Sequence, residues 1–203
     1  VAVLGPLPWP RARLAELVVR ARQAGAASVV LDLLLVEPAQ GDAALAAALD
    51  GVPAALAAAI APDGRWLLPR PELGGAGRAA HAYAEIAPDG VVRTVAATKQ
   101  AAGLALPALS LAAARSLEPG IPVEAGALLR PGFRLAPSAV PRVAAADLLA
   151  GAVAATTLAG RAVLVGVTAA GAGDRFVVPT GGPAPEPGVL VHAAVAASIL
   201  SGG

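Results

Sequence analysis

The chain has 203 residues, enough for one large domain or two small ones around a substantial core. Its net charge is +1, its 15 Lys and Arg form no basic run and its aromatic content is 2%, so a nucleic-acid surface is excluded. The absence of cysteine excludes thiolate catalysis, Cys-based zinc sites and disulfides. The apolar fraction of 57% is inflated by alanine. No stretch of about 18 residues runs free of charge, proline or clustered glycine, so no transmembrane helix is expected within it. No signal peptide opens the chain, and Val1 reads as a cut made inside a longer protein.

Leu7-Pro-Trp-Pro-Arg11 reads as a rigid turn, and Arg13 to Ala24 as an amphipathic helix with Leu14, Leu17, Val18 and Ala21 on one face. Gly25 is placed to end it. Ser28 to Val36 follows as an almost continuous apolar run, the pattern of a parallel strand covered on both faces. Helix, short turn and buried strand form the second half of a βαβ unit whose first strand would precede Val1.

Asp42 is expected to cap a short helix to Leu49. Pro53 to Ile60 reads as a strand, although its alanines permit helix. Arg65 to Gly77 is rich in Pro and Gly and reads as loop. Ala79 to Ile86 and Val91 to Ala97 flank Pro88-Asp-Gly90 and read as a hairpin. Pro107 marks the start of a helix reaching Leu117. Glu118 to Arg142 reads as connection with one short strand around Phe133 to Leu135. Ala144 to Leu149 is a short helix, Arg161 to Val167 a second buried strand, and Gly188 to Leu200 a closing helix. The expected architecture is a single α/β domain, with a central mixed, largely parallel sheet, helices on both faces and long Pro/Gly-rich loops.

The last third concentrates the chemistry. Arg161-Ala-Val-Leu-Val-Gly-Val-Thr168 runs into Gly171-Ala-Gly-Asp174, and Pro187-Gly188-Val-Leu-Val-His192 starts the final helix. His192 reads either as a ligand or proton-sensing group or as a histidine tying helix to sheet. Asp174 either faces a ligand or caps its own loop, with Arg175 or Arg161 as partner. Asp32 interrupts an apolar strand and needs a partner, for which Arg11 is nearest in the sequence reading. Arg93 could reach an anionic ligand or stay solvated, and Thr168 offers a hydroxyl beside the glycine turn or caps the strand end. Trp9 and Trp66 read as core anchors. Neither a P-loop nor a nucleophile elbow is present, and the serines sit in no triad-like context. No cofactor is expected. A metal or acid/base cluster of Asp32, Asp174 and His192 is the enzyme alternative, a hydrolase-like one.

Taken in order, Pro8-Trp-Pro-Arg11, Gly25-Ala26, Asp32, Glu37, Asp42 heading Ala-Ala-Leu-Ala, and Pro88-Asp-Gly-Val-Val-Arg93 make a family pattern. It continues through Ala145-Ala-Asp147-Leu-Leu-Ala-Gly151, Gly160-Arg-Ala-Val-Leu-Val-Gly166-Val-Thr168, Asp174, Pro179, and Pro187-Gly188 with His192-Ala193. The chain resembles the type 2 CHASE domain, a sensory module of bacterial adenylate or guanylate cyclases, histidine kinases and serine/threonine kinases. The resemblance implies an extracytoplasmic domain flanked by transmembrane helices of a parent receptor. It further implies an unknown small-molecule ligand, a homodimer and an opening strand upstream of Val1. The alternative is a constitutive dimerisation module without ligand. His192 then heads the helix that would leave toward the membrane.

Overall fold

A computed structural model describes residues 4–5, 7–124, 126–130, 135–169, 171, 174–180 and 184–202. The chain opens with helix α1 (Arg11–Gln23), whose Leu14, Leu17, Val18 and Ala21 are buried as the periodicity requires. Gly25, at φ 86°, ends it in a Schellman arrangement. The Gly25 N–H donates to Arg22 O and the Ala26 N–H to Ala21 O. A side chain on Gly25 would also press on Ala159, so the turn needs glycine twice over.

Strand β1 (Ser28–Leu31) is buried at every residue. It is shorter than the apolar run that announces it: beyond Asp32 the chain leaves the sheet, and Leu34 is 50% exposed. Helix α2 (Asp42–Asp50) follows. Its N-cap is Gly41 at φ 95°, not Asp42, because the Asp42 carboxylate instead accepts the Ala39 N–H and faces Arg11. The alanine-rich segment is strand β2 (Ala54–Ile60), followed by the short β3 (Trp66–Leu67). Two 3-10 turns, Pro71–Leu73 and Gly75–Arg78, then replace the expected plain loop.

Ala79 to Ile86 is two elements rather than one. β4 (Ala79–His81) joins the main sheet, whereas β5 (Glu85–Ile86) forms the expected hairpin with β6 (Val92–Ala96). A second hairpin, β7 (Thr98–Ala101) with β8 (Leu104–Pro107), was not legible in the sequence. Its turn residues Ala102 and Gly103 both have positive φ, the backbone of a primed turn made without Asn or Asp. Pro107 therefore ends a strand, and helix α3 (Leu109–Leu117) starts two residues later.

Strand β9 (Leu128–Leu129) pairs with β6, and helix α4 (Ala145–Leu149) is close to expectation. The strand expected around Phe133 to Leu135 falls largely outside the described residues. β10 (Ala162–Val165) lies at the sheet's edge and is half-buried throughout, not fully buried as its sequence suggests. β11 (Arg175–Phe176) and β12 (Glu186–Pro187) form a small ladder before helix α5 (Gly188–Leu200).

The main sheet is mixed. β10, β1, β2 and β4 are parallel neighbours in that order, and β3 adds to β2 antiparallel. The smaller sheets are antiparallel. Alternation along the strands sends Val29, Leu31 and Leu56 into a core with α1, α2 and α4. Val30 and Ala80 point the other way, against Leu109 and Ala113 of α3 and Ala196 of α5. Helices thus cover both faces of a single α/β domain. Among the described residues no helix is long and apolar enough to cross a membrane.

Candidate functional site

Two adjacent parallel strands, β1 and β10, send the chain over opposite faces. After β1 it runs to α2, on the side of α1; after β10 it continues to α5, on the side of α3. The crevice beyond the carboxyl ends of such a strand pair is where open α/β sheets bind ligands. Asp32 stands there as the first residue past β1, and Gly166-Val-Thr168 are the first past β10. The Asp32 N–H still donates to Val165 O at 2.8 Å, which locks the two strand ends together.

In the structure Asp32 lies within electrostatic reach of both His192 and Asp174. Burial pushes the Asp32 carboxyl above the usual carboxylate range; the nearby His192 opposes that shift and the charge of Asp174 adds to it. The carbonyl of Asp174 accepts the N–H of Gly188, the first residue of α5, at 2.8 Å, so this loop acid is tied to the helix start. Its side chain stays exposed, while Asp32 is half-buried. Two glycines make the approach possible. A Cβ on Gly166 would lie 2.6 Å from the Cβ of Val189, and one on Gly188 would meet Phe176 and Asp174.

His192 is 1% exposed, and its Nδ1 has no hydrogen-bond partner among the described residues. It lies on the stretch of α5 whose Val191 and Val195 pack with Leu111, and whose Ala196 packs with Leu109. Ser110, between those two leucines on α3, is fully buried and its Oγ is likewise unpartnered. Such groups cost about 1–3 kcal/mol each when left unsatisfied. The sequence reading passed over Ser110, because a serine among alanines and leucines carries no local signal of where its hydroxyl lands.

The expected Asp32–Arg11 pair does not form. Arg11 Nε bonds Asp42 Oδ1 at 2.9 Å, and its Nη2 bonds the carbonyl of Glu37. Sequence proximity of the Pro-Trp-Pro-Arg turn to the strand misled here: α2 reaches Arg11 first. In Asp42, burial is outweighed by the Ala39 N–H and by Arg11, so its carboxyl is held low. Arg93 is bound to Asp89 through both Nη atoms and is exposed. That pair holds the Asp89 carboxyl at about 2 and takes Arg93 away from any role at the crevice. Thr168 is exposed on the wall of an apolar groove beside β10. Trp9 and Trp66 donate their indole N–H groups to Gly5 O and Leu104 O and sit half-buried against the core, as anchors.

Among the described residues no group of three His, Cys, Asp or Glu side chains is placed to hold a metal ion.

A family model, the CHASE2 domain, matches residues 2–202. The chain belongs to the CHASE2 family. CHASE2 domains are sensory and extracellular, so this chain is a sensor module rather than a catalytic one, on the extracytoplasmic side. No curated protein and no solved structure matches it.

Proposed function

We propose that this CHASE2 domain senses a small molecule at the crevice formed by Asp32, Asp174, His192 and Thr168, and passes the signal to a membrane-bound parent receptor. The observation that carries this reading is the buried His192. A buried side chain whose Nδ1 has no partner among the described residues, within electrostatic reach of a carboxyl whose ionisation burial disfavours, is poorly suited to stability and well suited to a ligand or a proton. Its place at the carboxyl ends of β1 and β10 supports the same reading.

The parent is an adenylate or guanylate cyclase, a histidine kinase or a serine/threonine kinase, with transmembrane helices flanking this domain. The domain acts as a homodimer. Ligand binding favours one of two dimer arrangements in proportion to its differential affinity, and α5, which carries His192 in its second turn, transmits the shift. Thermal-shift screening of small polar molecules tests binding: a specific compound raises the melting temperature of the wild-type domain and loses its effect in Asp32→Asn and His192→Ala. A signal response unchanged by His192→Ala in the full-length receptor defeats the role given to that residue.

A further inference from the structure

The Asp32 crevice lies at the carboxyl ends of the parallel strands, and a second opening lies at their amino ends. A pocket of about 210 Å³ sits between the starts of β1, β2 and β4 and the later turns of α3. Small residues make the room: Ala55 on the sheet and Ala112 on α3 both line it. Gly77 lines it as well, yet its backbone is one that any residue adopts, and a Cβ there would have no neighbour within 4 Å. Neither the turn nor the packing demands glycine at that position. The volume falls below the usual small-molecule range and suits a ligand of a few carbons.

Two parts of the pocket differ in polarity. On the α3 side, Ser116 Oγ lies 2.6 Å from the carbonyl of Ala113 and 2.6 Å from Ser28 Oγ. A carbonyl only accepts, so Ser116 donates its one proton there, and Ser28 must donate to Ser116. Ser28 is 0% exposed and out of a ligand's reach, whereas Ser116 is half-buried on the pocket wall. Ser116 Oγ keeps one lone pair and has no proton left to give, so it accepts a further hydrogen bond and cannot donate one. Ser28 is a positioning residue that fixes this polarity.

At the start of β4 the wall is Arg78. Its stem lies flat against Gly74, where a Cβ would come within 2.8 Å of Arg78 Cδ. Its Nη1 bonds the carbonyl of Leu73, and its Nη2 bonds Asp50 Oδ1 at 2.7 Å. The guanidinium has five N–H groups, so donors remain for the pocket, and its partner Asp50 is 71% exposed. Among the described residues no acidic side chain lines the pocket.

We propose that this pocket binds a short-chain hydroxycarboxylate, its hydroxyl donating to Ser116 Oγ and its carboxylate facing Arg78. An amino acid is the poorer match, because its ammonium would be buried against a neutral hydroxyl with no carboxylate to pair it. The site is separate from the Asp32 crevice and stands whether or not that crevice binds a ligand.

Amide chemical shifts of the 203-residue chain test this, followed through a titration with 3-hydroxybutyrate to about 10 mM, tenfold above a millimolar Kd. Saturable shifts at Ser28, Ala55, Gly77 and Ser116 are expected, and their absence overturns the proposal. Butyrate lacks the hydroxyl, 1,3-butanediol lacks the carboxylate, and 3-aminobutyrate carries an ammonium instead of the hydroxyl. Each should bind at least ~10-fold more weakly, and equal binding by any of them overturns the proposal. In Ser28→Ala/Ser116→Ala, which removes both hydroxyls and leaves neither unpaired, butyrate and 3-hydroxybutyrate should bind alike. A preference that survives there sinks the role given to Ser116. Ala112→Leu fills the pocket and should abolish the shifts; shifts that persist in the folded variant place the ligand elsewhere. Where a variant unfolds, the four probes on the unaltered chain decide.

Discussion

The two histidines of this domain are equally buried and chemically opposite. His81, 0% exposed at the end of β4, places Nε2 3.0 Å from the carbonyl of Ala96 and accepts the Tyr83 N–H on Nδ1. A carbonyl can only accept, so Nε2 carries the proton and the neutral ring is satisfied at both nitrogens. Burial then pushes its pKa down to about 4, which keeps it neutral at physiological pH. The surroundings reinforce this: Lys99 bonds Glu85 at 2.9 Å and lies over the Tyr83 ring. His192, 1% exposed on α5, has an Nδ1 without a partner among the described residues, in reach of the field of Asp32. Burial alone marks neither residue as functional. The contrast in hydrogen-bond satisfaction separates them, because selection for stability alone favours the first environment and disfavours the second, and the function proposed for His192 rests on it.

The sharpest way to break that contrast is to truncate both rings. His81→Ala leaves the Ala96 carbonyl and Tyr83 amide unpaired in the core and should cost ~3 kcal/mol or more in urea unfolding. His192→Leu, which removes an unsatisfied group at similar volume, should cost under about 1 kcal/mol. Equal losses would erase the distinction.

Acid titration sharpens it next. A histidine whose folded pKa lies below its unfolded value of about 6.5 resists protonation in the folded state. Its stabilising contribution is therefore complete above pH ~6.5 and is lost as pH falls toward about 4. That loss should approach ~3 kcal/mol, read from unfolding midpoints across this range, and should vanish in His81→Gln. Arg11→Ala, which removes a partly buried ion pair and the bond to Glu37, should cost ~2 kcal/mol by the same measurement.

Asp32 shifts the other way. Its raised pKa means that ionisation is disfavoured in the folded state, so the penalty appears as pH rises past the ordinary carboxylate range. Asp32→Asn should accordingly raise the melting temperature at pH 7, and the gain should shrink toward pH 4. Arg93→Ala should leave the melting temperature unchanged, since its pair with Asp89 is exposed and screened.

Much of this was legible in the chain. The 3.6-residue spacing of Leu14, Leu17, Val18 and Ala21 fixes which face of α1 is buried, and Gly25 ends it, because both follow from local sterics. Asp32, which interrupts an apolar strand, and Asp174 and His192, at the ends of elements, stand out in the residues themselves, and in the fold Asp32 feels the charge of the other two. The Arg11–Asp32 pair failed because partner choice depends on which helix arrives first. The β7–β8 hairpin failed because Ala102 takes a left-handed backbone that its side chain does not advertise. The alanines of β2 suit helix or strand, and only packing between two helix layers decides.

The sequence by itself determined the α/β class, the helix faces, the glycine stops and the residues able to do chemistry, since these depend on neighbours a few positions away. Only the tertiary structure decided that, among the described residues, β10 lies at the edge of the sheet, the buried Ser110 Oγ has no partner, and one histidine is satisfied at both nitrogens while the other is not. Those outcomes depend on contacts between segments far apart in the chain, where hydrogen bonds and burial are settled by what the fold brings near and not by local preference.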